Sequence, residues 1–163
     1  MKIKCYILFL LVFGHNLYSF SQVSGLFIND ATLHVQSDAS LTVLGDLEAE
    51  LDAEIFNTGS IFLRDDLINN TANQLFNAQA NGDFWLNGNN QNIGGISPTS
   101  FYNLYFQGNA LDIKNFNQNA EVRNFLDIND QVMETNNFVV QLSNPAINAL
   151  SFNDGFISSS LLG

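Results

Sequence analysis

Apolar and polar residues alternate through "LEAELDAEI" (47–55). Leu47, Ala49, Leu51, Ala53 and Ile55 fall on one side, and Glu48, Glu50, Asp52 and Glu54 on the other. Strict alternation is the signature of a strand with one buried face. Leu47, Leu51 and Ile55 are also four apart among good helix formers, so a helix competes for the stretch. The next twenty residues decide between them. "SLTVLGDLEAELDAEIFNTG" (40–59) lies over "SIFLRDDLINNTANQLFNAQ" (60–79) without a gap. Ser40 meets Ser60, Asp46 meets Asp66, Leu47 meets Leu67, Ile55 meets Leu75, Phe56 meets Phe76 and Asn57 meets Asn77. The segment over "LEAELDAE" is then "LINNTANQ", which is rich in turn formers. A coil that stacks like on like cannot set a helix over a strand. The pattern predicts two short strands around a corner, with the acids facing solvent.

The repeat extends in both directions. Upstream, "VQSDASLTV" aligns with "IFNTGSIFL", placing Val35 over Ile55. Downstream, "GSIFL" (59–63) returns as "GDFWL" (82–86), displaced by 23 residues through extra residues at a corner. A period near 20 with two or three short strands per unit predicts an all-β solenoid. Each turn stacks on the last at about 4.8 Å, and Gly, Asn and Asp take the corners. Asn57 and Asn77 are expected to form a hydrogen-bonded ladder. In the second half, strands and turns alternate through "GDFWLNGNNQNIGG", "TSFYNLYFQGN" and "EVRNFLDINDQVMETNNFVVQL". Turns are expected at Asn87-Gly88, "INDQ", "TNN" and Asn153-Asp154-Gly155.

The first residues read differently. "MKIK" followed by "CYILFLLVF" is a basic segment and an apolar run of signal-peptide length. Ser19 and Ser21 place cleavage before Gln22, so residues 1–21 are expected to leave and 22–163 to form one domain. The run is too short to span a bilayer. Cys5 is the single cysteine, and it lies in the segment that leaves, so the remaining domain has nothing to cross-link.

Charge narrows the partners. After cleavage only Arg64, Lys114 and Arg123 stand against 16 acids. Phosphate neutralisation needs a basic footprint, so nucleic acid is excluded, and anionic lipid is disfavoured.

"FWLNGNNQNIGGISPTSFYNLYFQGN", "VRNFLDINDQVMETNNFVV" and "NDGFISSSLLG" resemble a recurring pattern of Bacteroidota secreted surface proteins. The resemblance covers most of residues 25–163. It implies a right-handed parallel β-helix, export of the type IX kind and an adhesin-like role. Its motifs are structural and carry no site residues. The chain lacks the sorting domain of that pattern and stops at "SSLLG", which reads as the amino-terminal part of a longer solenoid.

Few residues offer chemistry. His34 is the one histidine outside the leader and alternates with Leu33 and Val35, as a strand-surface residue does. Asp46 and Asp66 fall in register at a corner. With Asp65 they form a candidate Ca²⁺ site, although no calcium-loop spacing is present; solvated turn residues are the simpler reading. Trp85 has parity opposite to Phe84 and Leu86, so it points outward when they point in. With Tyr102 and Tyr105 it is a candidate aromatic surface for sugar rings or a protein partner. A polysaccharide lyase on this fold would need a base beside a cation cluster, and only Arg64 has acids nearby. The sequence therefore predicts a secreted or outer-surface structural or adhesion-type module without catalytic activity. Surface glycans or other surface proteins are the expected partners. A carbohydrate-binding module and a degenerate lyase-like β-helix are the alternatives.

Overall fold

The computed structural model describes residues 25–159; the expected leader, 1–21, lies outside them. The described residues contain strands, turns and bends, with no helix and hence none long and apolar enough to cross a membrane. The chain winds as a parallel β-solenoid of about 6 turns of roughly 21 residues.

One sheet stacks β1 (Gly25–Asn29), β4 (Asp46–Leu51), β7 (Leu67–Thr71), β9 (Gln91–Gly95), β11 (Ile113–Phe116), β13 (Val132–Glu134) and β16 (Phe156–Ser158) in that order. The facing sheet stacks β3 (Ser40–Val43), β6 (Ser60–Leu63), β8 (Asp83–Leu86), β10 (Thr99–Phe106), β12 (Ala120–Asp127) and β14 (Val140–Leu142), while β15 (Leu150–Ser151) also pairs with β12. A small third sheet joins β2 (Thr32–Val35) to β5 (Glu54–Asn57). It does not continue: from β10 onward one eight-residue strand spans the width that two short strands cover in the first coils.

The opening alternation forms two strands, β4 and β5, as the repeat requires. Leu47, Ala49, Ala53 and Ile55 are buried. Leu51 is not: it sits at the corner with φ 57° and is 58% exposed. The acids opposite do not stack on one another. Glu48 lies between Phe27 and Ile68, and Glu50 between Asn29 and Asn70. Glu54 is paired with Thr32 and accepts from Asn77, and Asp52 accepts from Asn73, so the four carboxylates in one row are tolerated because the neighbouring turns set uncharged residues beside them.

Most of the predicted register holds. Ser40 pairs with Ser60, Leu47 with Leu67, and Ser60 to Leu63 pair with Asp83 to Leu86 at the displacement of 23. Two assignments need correction. Ile55 bridges Phe76 and not Leu75, and in the third sheet Ile55 pairs with Leu33 and not Val35. With that slip the Asn57–Asn77 ladder does not form. Asn57 Nδ2 donates to the Asp83 carbonyl at 2.9 Å, and Asn77 Nδ2 to Glu54 Oε1 at 2.7 Å.

The core is a column of Leu, Ile, Val and Phe between the two large sheets. Within it Phe76, Phe84 and Phe101 form an aromatic cluster, with ring centroids 5.2–5.4 Å apart. Gly88 belongs to the predicted Asn87-Gly88 turn. A Cβ there would lie 1.7 Å from the carbonyl oxygen of Arg64, one turn earlier. The close approach of successive turns fixes glycine at that corner.

Candidate functional site

The outward side chains form files along the solenoid axis. On the outer face of the β3–β14 sheet, register places Trp85 between Phe62 and Tyr105. Trp85 and Tyr105 rings stack at 4.1 Å and 11°, and Phe62 and Trp85 at 5.7 Å and 18°. In the next turn register sets Asp127 beside Tyr105, while the Phe125 ring, in register with Asn103, tilts against Tyr105 at 5.6 Å. Trp85 does point outward, as its parity predicts. Both of its faces are nevertheless covered by neighbouring rings, and a sugar stacks on a free face. Burial pushes the Tyr105 hydroxyl up, helped by the Asp83 and Asp127 carboxylates and a hydrogen bond with Asp83.

Tyr102 does not join this file. The Arg123 guanidinium lies over its ring, 5.5 Å from the centroid. Arg123 also donates to the carbonyls of Asn77, Ala78 and Ala80, tying the 77–80 loop to the wall. His34 is exposed, with its ring 5.6 Å from Phe56.

Asp46 and Asp66 come together in a file of their own. Asp46 Oδ1 accepts the Asp66 amide at 3.0 Å. The Asp66 carboxylate accepts the Asn92 amide at 2.7 Å and Asn92 Nδ2 at 2.9 Å. Asn115 Nδ2 then donates to Asn92 Oδ1 at 3.0 Å, and Asn136 Nδ2 to Asn115 Oδ1 at 2.5 Å. Each carboxylate therefore meets a donor from the next turn, which offsets the repulsion of stacked acids without a cation. Asp65 is exposed, and its backbone carbonyl accepts Gln91 Nε2 at 2.7 Å. Among the described residues no group of three or more His, Cys, Asp or Glu could hold a metal ion. A second file runs Asp83–Asn103–Asn124–Asn144 through side-chain hydrogen bonds of 2.9, 2.7 and 3.3 Å.

Sequence reasoning overlooked the buried polar corners. Lys114 is fully buried. Its Nζ donates to the carbonyls of Gly88 (2.6 Å) and Asn89 (2.9 Å) and to Gln91 Oε1 (2.8 Å). The three protons of an ammonium meet three acceptors. Desolvation pushes its pKa down to about 8, while nearby Asp112 works in the other direction. The signal was present: in "IKNF", Lys114 shares parity with buried Phe116. At the opposite corner Asn69 Nδ2 donates to Thr99 Oγ1 at 3.0 Å, and Thr71 Oγ1 donates to Asn69 Oδ1 at 2.8 Å.

A groove of about 710 Å³ lies where the third sheet ends. Its floor includes the outward file Ser100–Glu121–Gln141, one residue per turn. Ser100 Oγ donates to Glu121 Oε2 at 2.9 Å, and Ser143 Oγ to Oε1 at 2.5 Å. Those hydroxyls, with a smaller contribution from Arg123, hold the Glu121 carboxyl below its ordinary value against partial burial. Comparison of the chain with protein-family models, curated proteins and solved structures returned no match.

Proposed function

We propose that this chain is a secreted or cell-surface structural module of the adhesion type, and that it performs no catalysis. The observation that carries the reading is how its reactive side chains are used. The acids at Asp46, Asp66 and Asp83, the guanidinium of Arg123 and the ammonium of Lys114 each hold one turn of the coil to another. Side chains committed in this way stiffen a rod-like scaffold and present repeated outward files, the arrangement that suits surface display. The lyase alternative would need a free base near a cation cluster. Arg123 is engaged with three carbonyls, and Arg64 is exposed next to Asp65.

The test is a pair of measurements on the full chain. Cells secreting it are compared with cells lacking it for retention under flow on polysaccharide-coated and protein-coated glass. The purified chain is incubated with uronic-acid and neutral polysaccharides and scored for new reducing or unsaturated ends. Greater retention without release of ends is expected. Release of ends at an enzymatic rate, or equal retention on every surface, refutes the reading.

A further inference from the structure

We propose that the groove over Ser100, Glu121 and Gln141 binds a neutral, hydroxyl-rich glycan chain lying along the solenoid axis. This goes beyond the adhesive reading by assigning a contact surface, and moves sugar recognition away from Trp85.

Four observations support it. First, the groove is long. It touches residues of four successive coils, from Ala72 through Pro98 and Glu121 to Gln141, so it suits a chain molecule better than a compact one. Second, its polar groups are preorganised. Two hydroxyls fix the Glu121 carboxylate, and Asn119 Oδ1 accepts the Val139 amide at 2.9 Å, which holds that side chain at the rim. Such a row offers a carboxylate that accepts from hydroxyls and amides that both accept and donate.

Third, the sign of charge selects the ligand. No lysine or arginine lines the groove, the Ser143 and Ser100 hydroxyls hold the Glu121 carboxyl below its ordinary value, and the chain carries a formal charge of −11. Uronates, sulfated glycans and phosphates are repelled. Fourth, an extended peptide fits poorly. It would add to an open strand edge, but Thr99 and Ser100 at the groove floor are buried and the Thr99 amide already bonds the Asn119 carbonyl at 3.2 Å. The apolar lining is about as extensive as the polar and comes from Ala72, Pro98, Ala120 and Val139 with the carbon stems of the polar residues, so it includes no aromatic or long aliphatic side chain.

The experiment is titration of the full purified chain with cellohexaose, laminarihexaose, mannohexaose and chitohexaose. Oligogalacturonate and a mixed-sequence peptide library serve as the other ligand classes. Binding is followed by isothermal titration and saturation-transfer NMR. At least one neutral hexamer is expected to bind. Glu121→Gln and Gln141→Ala should each weaken it about tenfold while the urea midpoint moves little, since both side chains point outward. Trp85→Ala is measured alongside. Absence of binding to every neutral hexamer at millimolar concentration overturns the proposal. So does preference for the uronate or the peptides, or loss of binding in Trp85→Ala with none in the two groove variants. Surface retention without glycan binding would overturn this inference alone, whereas turnover of a bound glycan would overturn the non-catalytic reading.

Discussion

Replacing Lys114 by Met tests whether a buried ammonium clamps two turns of the coil. Met approximates the length of the stem and removes the donor. The Gly88 and Asn89 carbonyls then lose the bonds of 2.6 and 2.9 Å that Lys114 supplies, whereas Gln91 Oε1 keeps the Gly88 amide at 2.9 Å. A buried acceptor without a partner costs about 1–3 kcal/mol; that applies to the Gly88 carbonyl, whereas the part-buried Asn89 carbonyl can turn to water and adds less. Removing the desolvated charge returns part of that, and a net loss of about 1–3 kcal/mol is expected. Urea titration followed by the fluorescence of the single tryptophan, Trp85, measures it. The pH dependence gives a second readout. In the folded chain the Lys114 pKa lies near 8, below the unfolded value of about 10.4. Between these values the unfolded chain holds more protons, so stability rises with pH. The wild type should therefore gain stability from pH 8 to 9.5, and Lys114→Met should lack that gain. A variant within about 0.5 kcal/mol of wild type at pH 7, or a parallel pH slope in both proteins, would refute the clamp.

Three other outcomes follow from the stacking. Gly88→Ala should lower stability by about 1–3 kcal/mol or more, because its Cβ would meet the Arg64 carbonyl oxygen at 1.7 Å; an unchanged urea midpoint would contradict the close approach. Trp85→Ala should lose two ring contacts, worth about 1–3 kcal/mol together, and the near-ultraviolet dichroism of the Trp85–Tyr105 stack; a wild-type spectrum would show that the rings are not coupled. Millimolar Ca²⁺ should leave the melting temperature unchanged, and Asp66→Ala should cost about 1 kcal/mol with or without the ion; a rise of several degrees with calcium, abolished in Asp66→Ala, would restore the cation site.

What could be seen in the sequence, and what could not, follows from the period of a strand. Leu47 over Leu67 and Phe62 over Trp85 were legible because identical or similar side chains recur at heights fixed by the stacking of turns. The pairing of Ile55 with Leu33 was not. A slip of two residues leaves every inward residue inward, so Val35 and Leu33 satisfy the alternation equally well. The one-residue slip to Phe76 was hidden because Leu75 and Phe76 are both apolar and both buried. Parity gave the direction of Trp85 but not the coverage of its faces, which depends on what the adjacent turns present at the same height. Lys114 shares its parity with buried Phe116, but a lysine at an inward position runs against the usual preference, so alternation alone does not mark it as buried.

The groove is the most instructive omission. It lies where the coil changes from three short strands per turn to a short strand followed by a long one. A reading built on repetition averages over that change. Regular files consume their polar groups in bonds to the next turn, as Asp66 does with Asn92 and Asn103 with Asn124. The groove's own Glu121 bonds Ser100 and Ser143 of the adjoining turns in the same way, and a smaller hollow lies on the regular Asn92–Asn115–Asn136 file. What the break in the repeat adds is a continuous floor, because β10 and β12 run straight through where the first coils turn a corner between two short strands.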